Sequence, residues 1–216
     1  MSDALSERRA QKDSVLEAAL LHAAFDGWSR RTLLSAAQDA GLDAATARRL
    51  FPQGGDSLLA WLDDWADRRM VEALAEVDLA KLPVRRRIAL LVRARLEPLS
   101  AHREAVRRAV AAHGLPGNLL GTGRSVWQTV DLMWRTAGLG GDPKEGFSYY
   151  SRRATLAGVL ASTLLFWLDD QSPDCADSWA FLDRRIDGVM QLGKLRSTLG
   201  SWTAWLGGRR PAPAGR

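Results

Sequence analysis

Apolar side chains recur at helical spacing along almost the whole chain, and no stretch alternates apolar and polar positions as a half-buried strand does, which predicts an all-α fold. The first helix is predicted over residues 6–24, with Val15, Ala18, Ala19 and Leu20 on its packing side, and Gly27-Trp28 breaks it. Thr32 is placed to cap a short helix, LLSAAQDA, that Gly41 stops, and Asp43 to cap a third, AATARRL, that ends near Phe51-Pro52. Helix, glycine turn, helix is the pattern of a helix-turn-helix. After Gln53-Gly54-Gly55, Asp56 can cap a long helix carrying Leu58, Leu59, Leu62, Trp65 and Met70. Pro83 opens an arginine-rich helix, Pro98 bends or ends it, and another helix runs to Gly114.

Pro116 opens the next element, whose apolar stripe is Leu119/Leu120, Val126/Trp127, Val130, Met133/Trp134 and Ala137. Gly117, Gly121 and Gly123 each cost about 1 kcal/mol relative to Ala inside a helix, so an irregular first half is expected there. Residues 154–168, ATLAGVLASTLLFWL, carry no charge. A helix apolar on every side is buried, and this run is short of the ~20 residues that cross a bilayer. It is therefore predicted to be the central helix of a bundle. Ala154, Ala157, Gly158 and Ala161 form a strip of small side chains on it, suited either to close helix packing or to leaving room for a ligand. Ser172-Pro173-Asp174 has the composition of a helix start and leads into Trp179, Leu182, Ile186 and Val189. The predicted organisation is a helix-turn-helix head over residues 1–55, a helical body over 56–192, an amphipathic helix over 193–206 and a disordered tail over 207–216.

The net charge of +5 matters through its location. Lys194, Arg196, Arg209, Arg210 and Arg216 supply all of it, and no Asp or Glu lies beyond residue 190. A DNA-binding protein usually keeps its basic excess on the reading domain, and here it sits at the opposite end of the chain. Leu195, Leu199, Trp202 and Leu206 fall on one face of the segment, with Trp205 at its edge. Such a face suits an interfacial helix on an anionic membrane surface, or else packing against the domain or a second copy.

Catalytic constellations do not emerge. There is no P-loop, no Ser–His–Asp or Cys–His context and no Glu-x-x-His pair, while Asp63-Asp64 and Asp169-Asp170 are adjacent and point to different helix faces. The lone Cys175 and the scattered His22, His102 and His113 offer no metal-ligand spacing. The chain is read as a non-enzyme with no cofactor and no metal. The single cysteine and the charged start, MSDALSERRAQKD, fit a reducing cytoplasm.

The head resembles TetR-type regulators at Ala18-Ala19, Phe25, Gly27, Ala36-Ala37, Ala40-Gly41, Leu50-Phe51-Pro52 and Leu58-Leu59. Those regulators carry Tyr or His just before the Phe and a phosphate-gripping Lys soon after the Pro. Here the positions read Arg48-Arg49-Leu50 and Gln53-Gly54-Gly55, without the lysine and with a glycine inserted. DNA binding is not expected, and a ligand-sensing TetR-type regulator stands as the alternative reading.

From Trp127 to Lys194 the chain resembles the C-terminal domain of the Coq-nine-type family of ubiquinone-biosynthesis proteins. The resemblance lies in Met133-Trp134-Arg135-Thr136-Ala137-Gly138, Tyr149-Tyr150-Ser151-Arg152-Arg153-Ala154, Ala161-Ser162-Thr163, Asp170-Gln171-Ser172-Pro173-Asp174 and Trp179-Ala180-Phe181-Leu182. It implies a TetR-like fold without catalysis, which binds an isoprenoid, quinone or phospholipid in an apolar site and presents a quinone intermediate to the demethoxyubiquinone hydroxylase. It also implies a homodimer whose C-terminal helix touches membrane. Leu119, Leu120, Trp127, Val130, Leu156, Val159, Leu160, Thr163 and Leu164 are the candidate lipid lining. Met133, Trp134, Tyr149, Tyr150 and Arg153 are the candidate partner patch. Leu195, Leu199, Trp202, Trp205 and Leu206 are the candidate membrane contacts. Nothing resembles a mitochondrial transit peptide, so the expectation is a bacterial member, cytoplasmic and peripheral on the inner face of the membrane.

Overall fold

The computed structural model describes residues 2–114, 119–140 and 147–207, with side chains placed over 3–114, 121–140 and 149–191. Among the described residues there is no strand, and nine α-helices follow one another. They are α1 (Ser2–Asp26), α2 (Arg30–Asp39), α3 (Ala44–Leu50), α4 (Gly55–Ala73), α5 (Val84–Leu96), α6 (Arg103–His113), α7 (Leu119–Thr136), α8 (Phe147–Asp169) and α9 (Ala176–Gly207).

Two apolar clusters hold these helices. Val15 and Ala19 of α1 pack with Leu33, Ala36, Ala47, Leu50, Phe51 and Leu58 to make the core of the head. On the neighbouring face of the same helix, Leu16, Leu20 and Ala23 pack into a larger core built from α4 to α9. Trp28 and Trp61 touch both clusters, and the Trp28 indole N–H donates to the Ala105 carbonyl at 2.9 Å.

Several capping expectations move. Ser29 caps α2, its hydroxyl accepting from the Thr32 amide at 3.1 Å, while Thr32 itself is buried and donates to the Gly27 carbonyl. Asp43 caps α3 as expected; the Thr46 amide donates to it and holds its carboxyl below the usual range. Asp56 lies in the first turn of α4, and Gly54 occupies the capping position in the left-handed region. Helix α7 runs unbroken through Gly121 and Gly123, so the irregular half expected there is not found from Leu119 onward. Pro116, Gly117 and the tail beyond Gly207 lie outside the described residues.

The uncharged run of α8 is not central. Leu165 is 56% exposed and Phe166 38%, the latter stacked on Phe181 of α9 at 4.5 Å between ring centres. Absence of charge here marks an apolar outer face as well as an inner one. The arginines of α5 are structural: Arg87 donates to the carbonyls of Leu82, Ala80 and Ala137, and Arg85 pairs with Asp187.

The turn before α9 is built around Asp170. Its buried carboxylate accepts from the amides and hydroxyls of Ser172 and Ser178. Burial pushes its pKa up, but these hydrogen bonds outweigh burial and hold it well below the usual carboxylate range. The chain then passes through Asp174 and Cys175 with left-handed backbone, and Ser172 Oγ accepts from the Asp177 amide. A carboxylate with a depressed folded pKa stabilises above its unfolded value, about pH 4, and that contribution is lost as pH falls through the folded value. Asp170→Asn is expected to cost about 2 kcal/mol at pH 7. The difference from the parent protein should shrink toward pH 3, as read from denaturant midpoints at the two pH values.

Candidate functional site

A cavity of about 320 Å³ opens between α4, α6, α7 and α8. That volume is at the low end for small-molecule sites. Leu62 and Ala66 of α4, Leu99, Val106, Ala109 and Val110 from the segment through α6, and Ala157, Leu160, Ala161 and Leu164 of α8 make it apolar. The spacing 157, 160, 161, 164 is one face of a helix. Two members of the small-residue strip, Ala157 and Ala161, are on that face, whereas Ala154 and Gly158 are exposed elsewhere.

The polar groups of the wall are linked to one another. Arg95 is buried and lines it; its Nε donates to Asp67 Oδ1 at 2.8 Å and its Nη2 to Asp63 Oδ1 at 3.3 Å. Burial pulls the Arg95 guanidinium down, but Asp67 and Asp63 outweigh it and hold the pKa above its ordinary value. Burial holds the Asp67 carboxyl above its ordinary value, only partly opposed by Arg95. Thr129 Oγ1 donates to Asp67 Oδ2 at 2.8 Å. His113 Nε2 lies 3.8 Å from Asp63 Oδ2, and its Nδ1 is 3.0 Å from Thr122 Oγ1. Thr122, Ser125 and Thr129 line the cavity from α7, and Thr122 Oγ1 donates to the His113 carbonyl at 3.0 Å. Among the described residues no group of three or more His, Cys, Asp or Glu side chains is disposed to hold a metal ion.

Of the residues expected to line a lipid site, Leu160 and Leu164 are on this wall. Val130, Leu156, Val159 and Thr163 are buried but belong to the opposite, core-packing faces of α7 and α8. Trp127 points away from the cavity altogether. The side chains of Leu119 and Leu120 are outside the described residues, as are those of Leu195, Leu199, Trp202, Trp205 and Leu206, although the backbone continues as helix through them in α7 and α9.

Trp127 instead joins an aromatic surface cluster. Its ring stacks on Tyr150 at 5.6 Å and lies 6.4 Å from Tyr149, and the two tyrosines meet edge to face at 5.1 Å. Tyr150 is 53% exposed. Arg153 is buried beneath the cluster, bonded to Asp131 at 2.9 Å and set under the Tyr149 ring, so it supports the patch from behind. Met133 is fully buried and Trp134 half-buried, which removes Met133 from any surface contact. Among the described residues no helix is long and apolar enough to cross a membrane.

Residues 121–193 match the protein family described as COQ9. The chain is 33% identical over 186 residues to the mitochondrial ubiquinone biosynthesis protein COQ9 of Rattus norvegicus, covering 83% of this chain and 58% of that protein. Identity to the Homo sapiens protein of the same name is 32%, with 83% and 57% covered. To the Drosophila melanogaster protein it is 29%, with 87% and 58% covered. The chain thus spans under three fifths of these relatives. Among solved structures, a TetR transcriptional regulator from Nitrosomonas europaea superposes with a TM-score of 0.66 at 21% identity, covering 82% of this chain and 95% of that one. The fold is therefore TetR-like and all-α, as the helix pattern implied. The expected setting at the inner face of a bacterial membrane is corrected: these relatives are mitochondrial proteins by name and point to a mitochondrial setting. That expectation had rested on the first residues of the chain, which do not bear on compartment.

Proposed function

We propose that the chain, whose residues 121–193 match the COQ9 family and whose fold is TetR-like, is a non-catalytic, lipid-binding accessory protein of ubiquinone biosynthesis. The observation that carries this reading is the apolar cavity between α4, α6, α7 and α8, with its few polar groups joined in one network. A prenyl tail costs about 0.8 kcal/mol per CH₂ to expose to water, so a cavity of this lining gives a quinone intermediate somewhere to rest outside the bilayer. Titration of the delipidated protein with a short-tailed ubiquinone analogue tests it, read by tryptophan fluorescence. Saturable binding that Ala157→Trp weakens by tenfold or more is expected; no saturable binding, or binding indifferent to that substitution, contradicts it.

The Trp127–Tyr149–Tyr150 cluster is the proposed docking point for the demethoxyubiquinone hydroxylase, since clustered aromatic anchors dominate binding energy at interfaces. Tyr150→Ala should weaken that complex by at least tenfold with little change in melting temperature, as measured by surface plasmon resonance and calorimetry. The basic, tryptophan-bearing segment 193–206 is the proposed membrane contact, and the exposed Leu165 and Phe166 the proposed contact for a second copy. Cleaving the chain after Gln191 should abolish co-sedimentation with anionic vesicles; unchanged sedimentation refutes the membrane role. The TetR likeness is one of fold and adds no DNA-binding role to this reading.

A further inference from the structure

We infer that the groove between α1 and α3 of the head binds a phosphate or diphosphate group, at a site separate from the body cavity and independent of the lipid-binding reading. The groove has a volume of about 340 Å³. Its walls are Glu7, Arg8 and Gln11 of α1 and Thr46, Arg49 and Leu50 of α3. The spacing of each set is that of one helical face, so the two faces meet across the groove. Two guanidinium groups therefore enter one concavity from opposite walls.

Neither cation is neutralised. Arg68, Arg95, Arg107 and Arg153 all pair with aspartates, whereas among the described residues neither Arg8 nor Arg49 pairs with a carboxylate. Arg49 is nevertheless held in place. Its Nη2 donates to Thr46 Oγ1 at 2.7 Å, and that hydroxyl donates to Asp43 Oδ2 at 3.1 Å. This bond occupies one of the five N–H donors of the fork and leaves the others for a ligand. Arg8 also acts on Lys12, four residues along α1, whose pKa is lowered first by burial and then by Arg8. Like charges gathered in this way cost stability, and an anion beside them offsets that cost.

The class of anion follows from the two forks. A guanidinium binds phosphate oxygens through two parallel hydrogen bonds, and a diphosphate can occupy both arginines where a single carboxylate occupies one. Glu7 is the one acid in the wall, and its charge limits the affinity. Arg49 turns toward α1 and into the groove, which suits a compact anion better than the extended backbone of a nucleic acid.

Isothermal calorimetry of inorganic pyrophosphate titrated into the full chain at physiological salt tests the site. One saturable site is expected, weakened at least tenfold in Arg8→Gln/Arg49→Gln and tightened at least threefold in Glu7→Gln. Arg184→Gln, at an exposed arginine of α9, should change nothing. Absence of saturable binding at millimolar pyrophosphate, or equal binding by the parent and the double variant, overturns the assignment. So does tighter binding of a DNA duplex of arbitrary sequence through the same two arginines. If the double variant melts below the parent, Glu7→Gln carries the test by itself, and unchanged or weaker binding there overturns the site. Co-sedimentation with phosphatidic acid vesicles separates the sources of the phosphate. Loss of sedimentation in the double variant, whose C-terminal segment is intact, assigns a lipid headgroup; unchanged sedimentation together with weakened pyrophosphate binding assigns a soluble phosphate compound.

Discussion

Arg95→Met lowers stability by about 3 kcal/mol, because it leaves the partly buried Asp63 and Asp67 around a missing cation. Arg95 is buried in the body core between Leu91, Val92, Leu96 and Leu99, and its two ion pairs join α5 to α4. Removing it strands one carboxylate that burial already holds above its ordinary pKa. The effect belongs to the broken pairing more than to the lost side chain. Arg95→Met combined with Asp63→Leu and Asp67→Leu should therefore recover most of the loss, since apolar replacement of a whole buried ionic group is often close to neutral. Urea denaturation midpoints of the parent, single and triple variants decide this. A triple variant no more stable than the single one contradicts it.

The second large effect is at Gly55. A Cβ built there would lie 2.3 Å from the Trp28 carbonyl oxygen and 2.8 Å from its carbon, both of them backbone atoms. Trp28 cannot retreat, because its indole is bonded to the Ala105 carbonyl and touches both cores. Gly55→Ala is expected to cost about 3 kcal/mol and to lower the melting temperature accordingly, at the upper end of the range for overpacking. Gly121→Ala, where an added Cβ meets nothing within 4 Å, provides the contrast and should stabilise by up to about 1 kcal/mol. Differential scanning calorimetry of the two variants gives the comparison.

Gly55 also shows what the sequence conveyed and what it did not. Next to the TetR pattern, one glycine of the pair Gly54-Gly55 reads as an insertion. The reasons for the pair are geometric: one glycine turns through left-handed backbone, and the other lets α4 start against the carbonyl of Trp28. The helices were legible because their apolar spacing and stops are local. Within the site, the uncharged α8 defeated that method. A helix apolar all round has no polar face to orient it, so Leu160 and Leu164 could not be separated from Leu156, Val159 and Thr163, which face the other way. The polar part of the cavity wall is present in the spacing. Adjacent Asp63 and Asp64 point to different faces, whereas Asp63 and Asp67, four residues apart, share one. Arg95, sitting in the apolar stripe of Leu91, Val92 and Leu99, was the complementary signal.

The stretches that carry the family resemblance have largely structural work. Gly138 ends α7 in left-handed backbone, with the Leu139 amide donating to the Trp134 carbonyl. Asp170, Ser172 and Ser178 form the turn into α9, and Arg153 with Asp131 braces the aromatic patch. Most of the cavity wall lies outside those stretches, on α4, α5 and α6 as well as α7 and α8. A motif can thus identify the scaffold while the pocket it frames is written across the rest of the chain.

The most direct measurement is native mass spectrometry of the intact protein, paired with mass analysis of an organic extract from the same preparation. The account predicts a retained prenyl lipid in the parent protein and its loss in Ala157→Trp at unchanged fold. A parent protein that carries no extractable lipid, or an Ala157→Trp variant that carries as much as the parent, would contradict it.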